Sequence, residues 1–304
     1  MRIKVAGLCL AILLGAGVCV AQNEPAPAPA PAVAAAPAVK PAVRQPDNAS
    51  VYCSGFVSDQ QVPAEMQIIS GEQSNYKITF TTGDYVYINR GQSQGIRMGD
   101  EFSVLRPVKD PISQVRWFKW QRKLLRAMGT PYEDEGRIRV VNVQAKTAVA
   151  QVVFACNSLQ RGDIIRSFEP RPAPPYKEAE KFDHFAPKSG KNVGMVVTTS
   201  TFEPAAGRND SIYVNLGSNQ GVKVGDYFRV YRHQGSRQEI APQTRDMQFR
   251  VYGFGGSKKR YDWDELPREV LGEGIVLHVT RNASTVLITY SSIEIYGGDY
   301  VELE

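Results

Sequence analysis

A repeated segment constrains the fold of this chain more than any other feature of its sequence. Residues 84–106, DYVYINRGQSQGIRMGDEFSVLR, align with residues 210–232, DSIYVNLGSNQGVKVGDYFRVYR, and 11 of the 23 positions are identical. A second, weaker match places the segment from Glu135 opposite the segment from Glu273, and each copy closes on a Gly-Asp pair. Repetition over this length indicates two copies of one structural domain.

The signals within each copy are those of short β-strands. In the first copy, alternating residues around Tyr87 predict a strand, a glycine-rich turn follows, and a second turn at Gly99 precedes another strand. A hairpin comes later in each copy, and the repeated segments show no long helical period. We therefore predict a mainly all-β fold of two tandem small barrels, each closed, with short helical or irregular inserts.

The turns of the two copies share the same residue types. A turn that needs a positive φ or a close approach of the backbone tolerates little besides glycine. A turn aspartate or asparagine accepts hydrogen bonds from nearby backbone N–H groups. We predict a structural role, not a catalytic one, for ten such residues: Asn89, Gly91, Gly95, Gly99 and Asp100 in the first copy, and Asn215, Gly217, Gly221, Gly225 and Asp226 in the second.

The repeated motif resembles the C-terminal domain of the flagellar assembly protein T family. The shared pattern is N-x-G, then Q-G-V-x-V-G-D-x-F and V-x-R, and a later G-D. It covers Asn215, Gly217, Gly221, Gly225, Asp226, Phe228, Arg232, Gly298 and Asp299, and more loosely Asn89, Gly91, Gly95, Gly99, Asp100, Phe102, Arg106, Gly162 and Asp163. The resemblance implies a β-barrel module of a bacterial envelope protein with an interaction role, without implying a flagellar one, and the doubling of the module departs from the family.

The N-terminus has the pattern of an export signal. Arg2 and Lys4 precede an apolar run over 5–20, and small residues stand before Gln22, which predicts a signal peptide over 1–21. An uncleaved membrane span is the less favoured alternative, because about 16 apolar residues fall short of the roughly 20 that a bilayer needs. A lipoprotein modified at Cys19 is a third. The prediction for the location is therefore periplasmic or secreted.

Proline marks the segments outside the two copies. Residues 22–49 alternate Ala and Pro, which predicts a disordered, extended linker that acts either as a spacer or as a tether. The barrels are expected over 50–168 and 191–304. The Pro-rich connector between them, 169–190, is expected to lie as a strap on a barrel, because its aromatic residues are costly to leave in water, namely Tyr176, Phe182 and Phe185.

Charge and motif spacing argue against several function classes. Without the signal peptide the chain carries 34 basic and 31 acidic residues, too small an excess for a nucleic-acid partner. The G-x-S-x-G sequence at 91–95 leads into another turn, whereas a nucleophile elbow leads into a helix. The three histidines, His184, His233 and His278, lack the spacing of a zinc site. We predict no enzyme activity, no metal and no cofactor.

The insert in the first copy is a candidate interaction surface. Wound as a helix over 116–127, it would have an apolar stripe of Trp117, Trp120, Leu124 and Ala127, with basic residues around the rest. Such a helix could lie on an anionic membrane, or it could plug one barrel end with its tryptophans buried. The candidate residues are Arg116, Trp117, Lys119, Trp120, Arg122, Lys123 and Arg126.

The longer insert in the second copy mixes aromatic, basic and glycine residues. Residues of these types are enriched at interfaces and also anchor ordinary loops, and the sequence leaves both roles open. The candidates are Tyr252, Phe254, Lys258, Lys259, Arg260 and Trp263.

Two cysteines remain once the signal peptide is gone. Cys53 precedes the first strand of the first copy and Cys156 follows its last hairpin, so a closed barrel would bring them together. Exported chains meet an oxidising compartment, which predicts a disulfide between them rather than two separate buried thiols.

These features predict a non-enzymatic cell-envelope protein. In the favoured hypothesis its tandem barrels bind an envelope protein or a cell-wall polymer. The alternative is peripheral binding to an anionic membrane or lipopolysaccharide surface through the basic segment 116–127.

Overall fold

The structure is a computed structural model in which β-strands are the main elements. It describes residues 44–108, 118–178, 181–233 and 266–304. Val43–Glu304 form one compact unit. Among the described helices, none is both long and apolar enough to cross a membrane.

The first copy carries two α-helices and nine described strands. After the one-turn helix α1 (Asn48–Tyr52) come β1 (Phe56–Ser58), β2 (Ile68–Gly71), β3 (Thr79–Phe80), β4 (Tyr85–Ile88), β5 (Glu101–Pro107), α2 (Lys119–Met128), β6 (Thr130–Val143), β7 (Ala148–Ala155), β8 (Leu159–Gln160) and β9 (Ile164–Ser167). A turn of 3-10 helix over Gln92–Gln94 joins β4 to β5.

The second copy repeats this order over its described residues. Its strands are β10 (Val193–Thr199), β11 (Ala205–Ala206), β12 (Ser211–Val214), β13 (Tyr227–His233), β14 (Arg268–Val279), β15 (Ser284–Ser291), β16 (Ile295–Tyr296) and β17 (Tyr300–Leu303), with a 3-10 turn over Ser218–Gln220. The predicted all-β architecture is confirmed.

The two sheets differ in how they close. The second is a closed barrel in the order β10-β12-β15-β14-β13-β17, with β17 pairing back onto β10. The first is a curled half-barrel in the order β2-β4-β7-β6-β5-β9, with β1 beside the start of β6, so the prediction that both barrels are closed holds for the second copy alone. The edge strands of the first sheet meet at an isolated bridge between Gln67 and Ile164. The difference follows from strand length, because β2 has four residues and β10 has seven.

Buried and exposed side chains alternate along β4, but not along β12, and the difference shows which outer wall is covered. In β4, Val86 and Ile88 are buried in the core of the first sheet, while Tyr85 and Tyr87 are exposed. In β12, Ile212 and Val214 are buried in the barrel, yet Tyr213 between them is 1% exposed. Side chains of successive residues point to opposite faces of a sheet, so the outer wall of the second barrel at β12 is covered.

The turn glycines serve two different physical needs. Gly95 and Gly221 end the 3-10 turns in the left-handed region, with φ of 85° and 81°. Gly91 and Gly217 begin those turns where the following hairpin approaches closely. A Cβ there would lie 2.3 and 2.4 Å from backbone oxygens of the hairpin. The repeated motif therefore encodes one turn, built twice.

The polar residues of the motif hold the same turn in place. The side-chain oxygen of Asn89 accepts a hydrogen bond from the backbone just before β2, and that of Asn215 accepts one from β10, at 2.8 and 2.7 Å. The carboxylates of Asp100 and Asp226 each accept a bond of 2.8 Å from the backbone N–H three residues before them. These contacts are equivalent in the two copies.

One detail of the sequence alignment is wrong. It placed Glu135 opposite Glu273, but the structure makes Gly136 equivalent to Gly272, since each lies opposite the end of its hairpin partner strand. The residue equivalent to Glu135 is therefore Leu271. The Glu-Gly dipeptide recurs two residues out of register, and the backbone pairing decides between the two alignments.

Candidate interaction surface

Helix α2 lies against the outer wall of the second barrel. Its Leu125 and Met128 are buried with Val197 and Tyr213, and this cluster is separate from the core clusters of both sheets. The neighbour of Val197 on β10, Val196, belongs to the barrel interior. The helix is therefore a wedge between the copies, and the predicted barrel plug is wrong.

Local contacts fix both ends of α2. At its start, the Gln121 side chain accepts a hydrogen bond from the Phe118 backbone N–H (3.1 Å) and donates one to the carbonyl of Val197 (3.0 Å). At its end stands Gly129, where a Cβ would lie 2.0 Å from the Ser58 carbonyl oxygen. The close approach of β1 therefore requires glycine at this position.

The predicted apolar stripe on this helix is correct only at Leu124, which is half-buried and packs against the same cluster. Ala127 is exposed, and Trp120 is half-buried, its ring 6.4 Å from that of Phe118. The buried face instead carries Leu125 and Met128. Gln121, Leu125 and Met128 recur at helical spacing, but so do the tryptophans and Leu124, and spacing alone does not show which of the two faces is buried. Of the predicted set, Arg116 and Trp117 lie outside the described residues.

Four basic side chains cover the side of α2 that faces solvent, and we call them the basic face: Lys119, Arg122, Lys123 and Arg126. All four residues are exposed. Within the described part of the chain, no acidic side chain pairs with any of them. The face concentrates four positive charges on a ten-residue helix whose apolar side is already occupied.

Strand β1 attaches the first copy to the second. The hydroxyl of Thr280 donates to the Val57 carbonyl (2.7 Å), and that of Thr285 donates to the Gly55 carbonyl (3.0 Å). Between these bonds, the ring of Phe56 lies 4.9 Å from the imidazole of His278. The helix with the basic face therefore belongs to a unit in which hydrogen bonds and ring contacts join the two copies.

His278 lies at this contact between the copies and is half-buried as a whole. Loss of solvation, together with the nearby positive charges of Arg171 and Arg166, lowers the pKa of the side chain to about 3. Its Nδ1 is buried and has no hydrogen-bond partner among the described residues. His278 is therefore neutral at physiological pH.

Glu135 of β6 has a strongly perturbed pKa. It is 0% exposed, and burial raises its pKa to about 8, against the opposing effect of Arg106. Arg106 Nη1 lies 3.0 Å from one of its oxygens, while the rest of that guanidinium is bound to both oxygens of Asp163, at 2.8 and 2.9 Å. A fully buried acid cannot reach a substrate, so we place Glu135 in the core.

The predicted disulfide between Cys53 and Cys156 is present. It fastens the segment after α1 to the end of β7, and the two Cα atoms are 5.4 Å apart. The alternative of two separate thiols is excluded. A bond of this kind is consistent with an oxidising, extracytoplasmic compartment.

The connector lies partly on the second barrel. The guanidinium of Arg268 donates to the carbonyls of Ala186 (3.0 Å) and Pro187 (2.7 Å). Phe182 packs against the cluster that Ala186 forms with Tyr231 and Val270 of the barrel. Tyr176 also packs on the barrel, but Phe185 is 67% exposed, contrary to the expectation that the aromatic residues of the connector are covered.

The remaining predicted residues are not brought together. The histidines occupy three places: His184 in the connector, His233 at the end of β13 and His278 in β14. The candidates of the second insert lie outside the described residues: Tyr252, Phe254, Lys258, Lys259, Arg260 and Trp263.

Comparison with known proteins adds no family to these observations. No protein-family model matches the chain, and no curated protein is similar to it at a significant level.

Proposed function

We propose that this chain is a non-enzymatic binding protein of the bacterial cell envelope that holds an acidic partner, a protein or a cell-wall polymer, against the basic face of α2. The observation that carries the proposal is the exposure of Lys119, Arg122, Lys123 and Arg126 on a helix whose other side is buried between the two copies. Charges held on a fixed support give electrostatic complementarity without the entropy cost of ordering a free helix.

The same geometry favours such a partner over a membrane. An interfacial helix binds by burying its apolar face among lipid tails as well as by charge. In α2 the apolar side chains Leu125 and Met128 already pack on Val197 and Tyr213. The helix therefore offers a bilayer its charge and a half-buried Trp120, which is a weak basis for insertion.

Two further features support the envelope location and the absence of catalysis. The disulfide suits an exported protein, and the leader sequence predicts export. The turn carboxylates Asp100 and Asp226 make equivalent capping contacts in both copies, and Glu135, whose pKa is raised to about 8, is fully buried.

The test compares two triple variants that each remove three positive charges. One is Lys119→Gln, Arg122→Gln and Lys123→Gln in the basic face. The matched control changes three exposed cations elsewhere, Arg97→Gln, Lys146→Gln and Lys223→Gln. Wild type and control are expected to capture a defined envelope partner after crosslinking in cells, in a salt-sensitive manner, and the basic-face variant is expected to lose it.

Sedimentation with vesicles tests the alternative hypothesis, that the basic face binds an anionic membrane. If wild-type protein pellets with anionic vesicles, and the basic-face variant does not, the membrane hypothesis replaces the proposal. If both triple variants capture the partner equally well, the basic face is not the binding surface. Thermal unfolding of all three proteins should coincide, because solvated charges contribute little to stability.

A further inference from the structure

A partly enclosed cavity of about 170 Å³ lies between α1, strands β5 to β7 and the start of the connector. Three aromatic rings line it, and the rest of the wall is polar or small: the rings are those of Tyr52, Phe154 and Phe168, and the other residues are Asn48, Ser103, Asp134, Gly136, Arg137 and Arg171. A cavity of roughly 150 Å³ is large enough for a benzene ring. The space therefore fits a small molecule rather than a chain segment.

The equivalent positions in the second copy are occupied by paired charges. Arg229 stands where the first copy has Ser103, and its guanidinium pairs with Glu302 (3.3 Å) and Glu304 (3.2 Å). Glu304 corresponds to Phe168, and Glu273 corresponds to Arg137. Lys177 of the connector bridges Glu273 and Glu304, at 2.6 Å to each. The copies share a backbone here, but paired charged side chains of the second stand at the positions that line the cavity in the first.

The charges in the cavity wall are not all used by the protein. Arg171 is satisfied, since it binds both oxygens of Asp134 at 2.8 and 2.7 Å. Arg137 is not. Its Nε is buried with no hydrogen-bond partner among the described residues, and its Nη1 lies 3.7 Å from Glu101, beyond hydrogen-bond distance. Its guanidinium lies over the Phe168 ring at 4.7 Å.

These features specify a ligand chemistry. A buried guanidinium N–H without an acceptor costs stability, and a carboxylate is the acceptor that best matches an arginine. Flat apolar groups pack favourably on aromatic rings. A molecule that combines the two would satisfy Arg137 and fill the space beside Tyr52, Phe154 and Phe168.

We propose that this cavity binds a small organic carboxylate whose apolar part is a flat ring or a short chain. The carboxylate accepts hydrogen bonds from Arg137, and the apolar part lies among the three aromatic rings. Ser103 makes the site possible, because the arginine at the equivalent position of the second copy would occupy the space. The site is independent of the basic face of α2 and of the function proposed above.

The probe is benzoate, titrated into the full exported chain with its disulfide intact and followed by calorimetry and by ligand-observed NMR. Benzoate is expected to bind with a Kd of about 1 mM or tighter, given its nine non-hydrogen atoms. Benzamide has nearly the same shape without the charge and is expected to bind at least tenfold more weakly. Equal affinity for the two compounds, or no benzoate binding, overturns the proposal.

Three single substitutions test whether benzoate binds in this cavity. Ser103→Arg, which copies the second barrel, should abolish benzoate binding. Arg137→Gln, on a side chain that is 35% exposed and need not disturb the core, should weaken benzoate at least tenfold and leave benzamide unchanged. Arg90→Gln removes an arginine elsewhere on the first copy and should change nothing. If Ser103→Arg does not fold, Arg137→Gln still decides, since unaltered benzoate affinity in that variant excludes this cavity.

Discussion

Glu135 in the first copy occupies the position that Leu271 holds in the second, and both residues are 0% exposed. The surrounding ion pair is common to both copies, with Arg106 on Asp163 in one and Arg232 on Asp299 in the other. The first copy therefore buries one carboxylate that the shared architecture does not need.

Replacing Glu135 with its counterpart should stabilise the protein in alkaline solution. The folded pKa of about 8 exceeds the ordinary value of 4.5, so the folded state binds the extra proton between these values. Stability is then full below pH 4.5 and declines as pH rises toward 8. Glu135→Leu should raise the free energy of unfolding at pH 8 by about 1–4 kcal/mol.

Urea unfolding of wild type and variant at pH 5 and pH 8 measures this effect. Glu135→Gln, which keeps the shape and removes the charge, should likewise lose the pH dependence. A gain of the same size at both pH values would show that packing rather than ionisation is responsible.

The histidine between the copies predicts the opposite pH dependence. Because the folded pKa of His278, about 3, lies below its ordinary value of 6.5, the unfolded state binds the proton first, and stability declines as pH falls from 6.5 toward 3. Over this whole pH range, His278→Gln should reduce the decline by on the order of 5 kcal/mol.

The quantity to measure is the difference between wild type and variant across this pH range, since carboxylates elsewhere cancel in it. His184→Gln, at an exposed histidine of the connector, is the control and should follow wild type. A His278→Gln curve parallel to wild type would contradict the prediction.

The disulfide should contribute strongly to stability, because its cysteines are separated by 103 residues in the sequence. Cys53→Ala with Cys156→Ala should lower the free energy of unfolding by about 2–5 kcal/mol. A reducing agent should lower the stability of wild type by a similar amount and leave the double variant unchanged. A double variant as stable as oxidised wild type would contradict this.

Two glycines of the same turn should respond differently to alanine. Gly91→Ala places a Cβ 2.3 Å from the Gln144 carbonyl oxygen, and backbone atoms of Lys146 and Thr147 are also closer than 3 Å. Gly95→Ala places a Cβ with no atom within 4 Å, so its only cost is the positive φ. We expect a loss of about 1 kcal/mol for Gly95→Ala and more than about 2 kcal/mol for Gly91→Ala. Thermal unfolding of the two variants ranks them directly.

The sequence predicted the features that depend on local chemistry. Glycine, asparagine and aspartate define the turns through φ, close approach and side-chain hydrogen bonds, so the strands between them could be located. The disulfide followed from having two cysteines near the ends of one copy. None of these inferences requires knowing which surfaces meet.

Features that depend on contact between the copies were missed for the same reason. The buried side of α2 is set by the outer wall of the second barrel, and the helical spacing of Leu125 and Met128 does not by itself show that this side, rather than the side with the tryptophans, is buried. The difference between Ser103 and Arg229 is visible in the alignment. It indicates a cavity only once the fold brings Tyr52 and Phe168, which are distant in the chain, to the same place.

Strand β1 and Gly55 before it belong by chain order to the first copy, yet the backbone carbonyls of Gly55 and Val57 accept hydrogen bonds from threonines of the second. The covalent link through 169–190 is therefore not what keeps the halves together. A protease that cuts this connector should yield two fragments that still migrate as a single particle under native conditions and part only in denaturant.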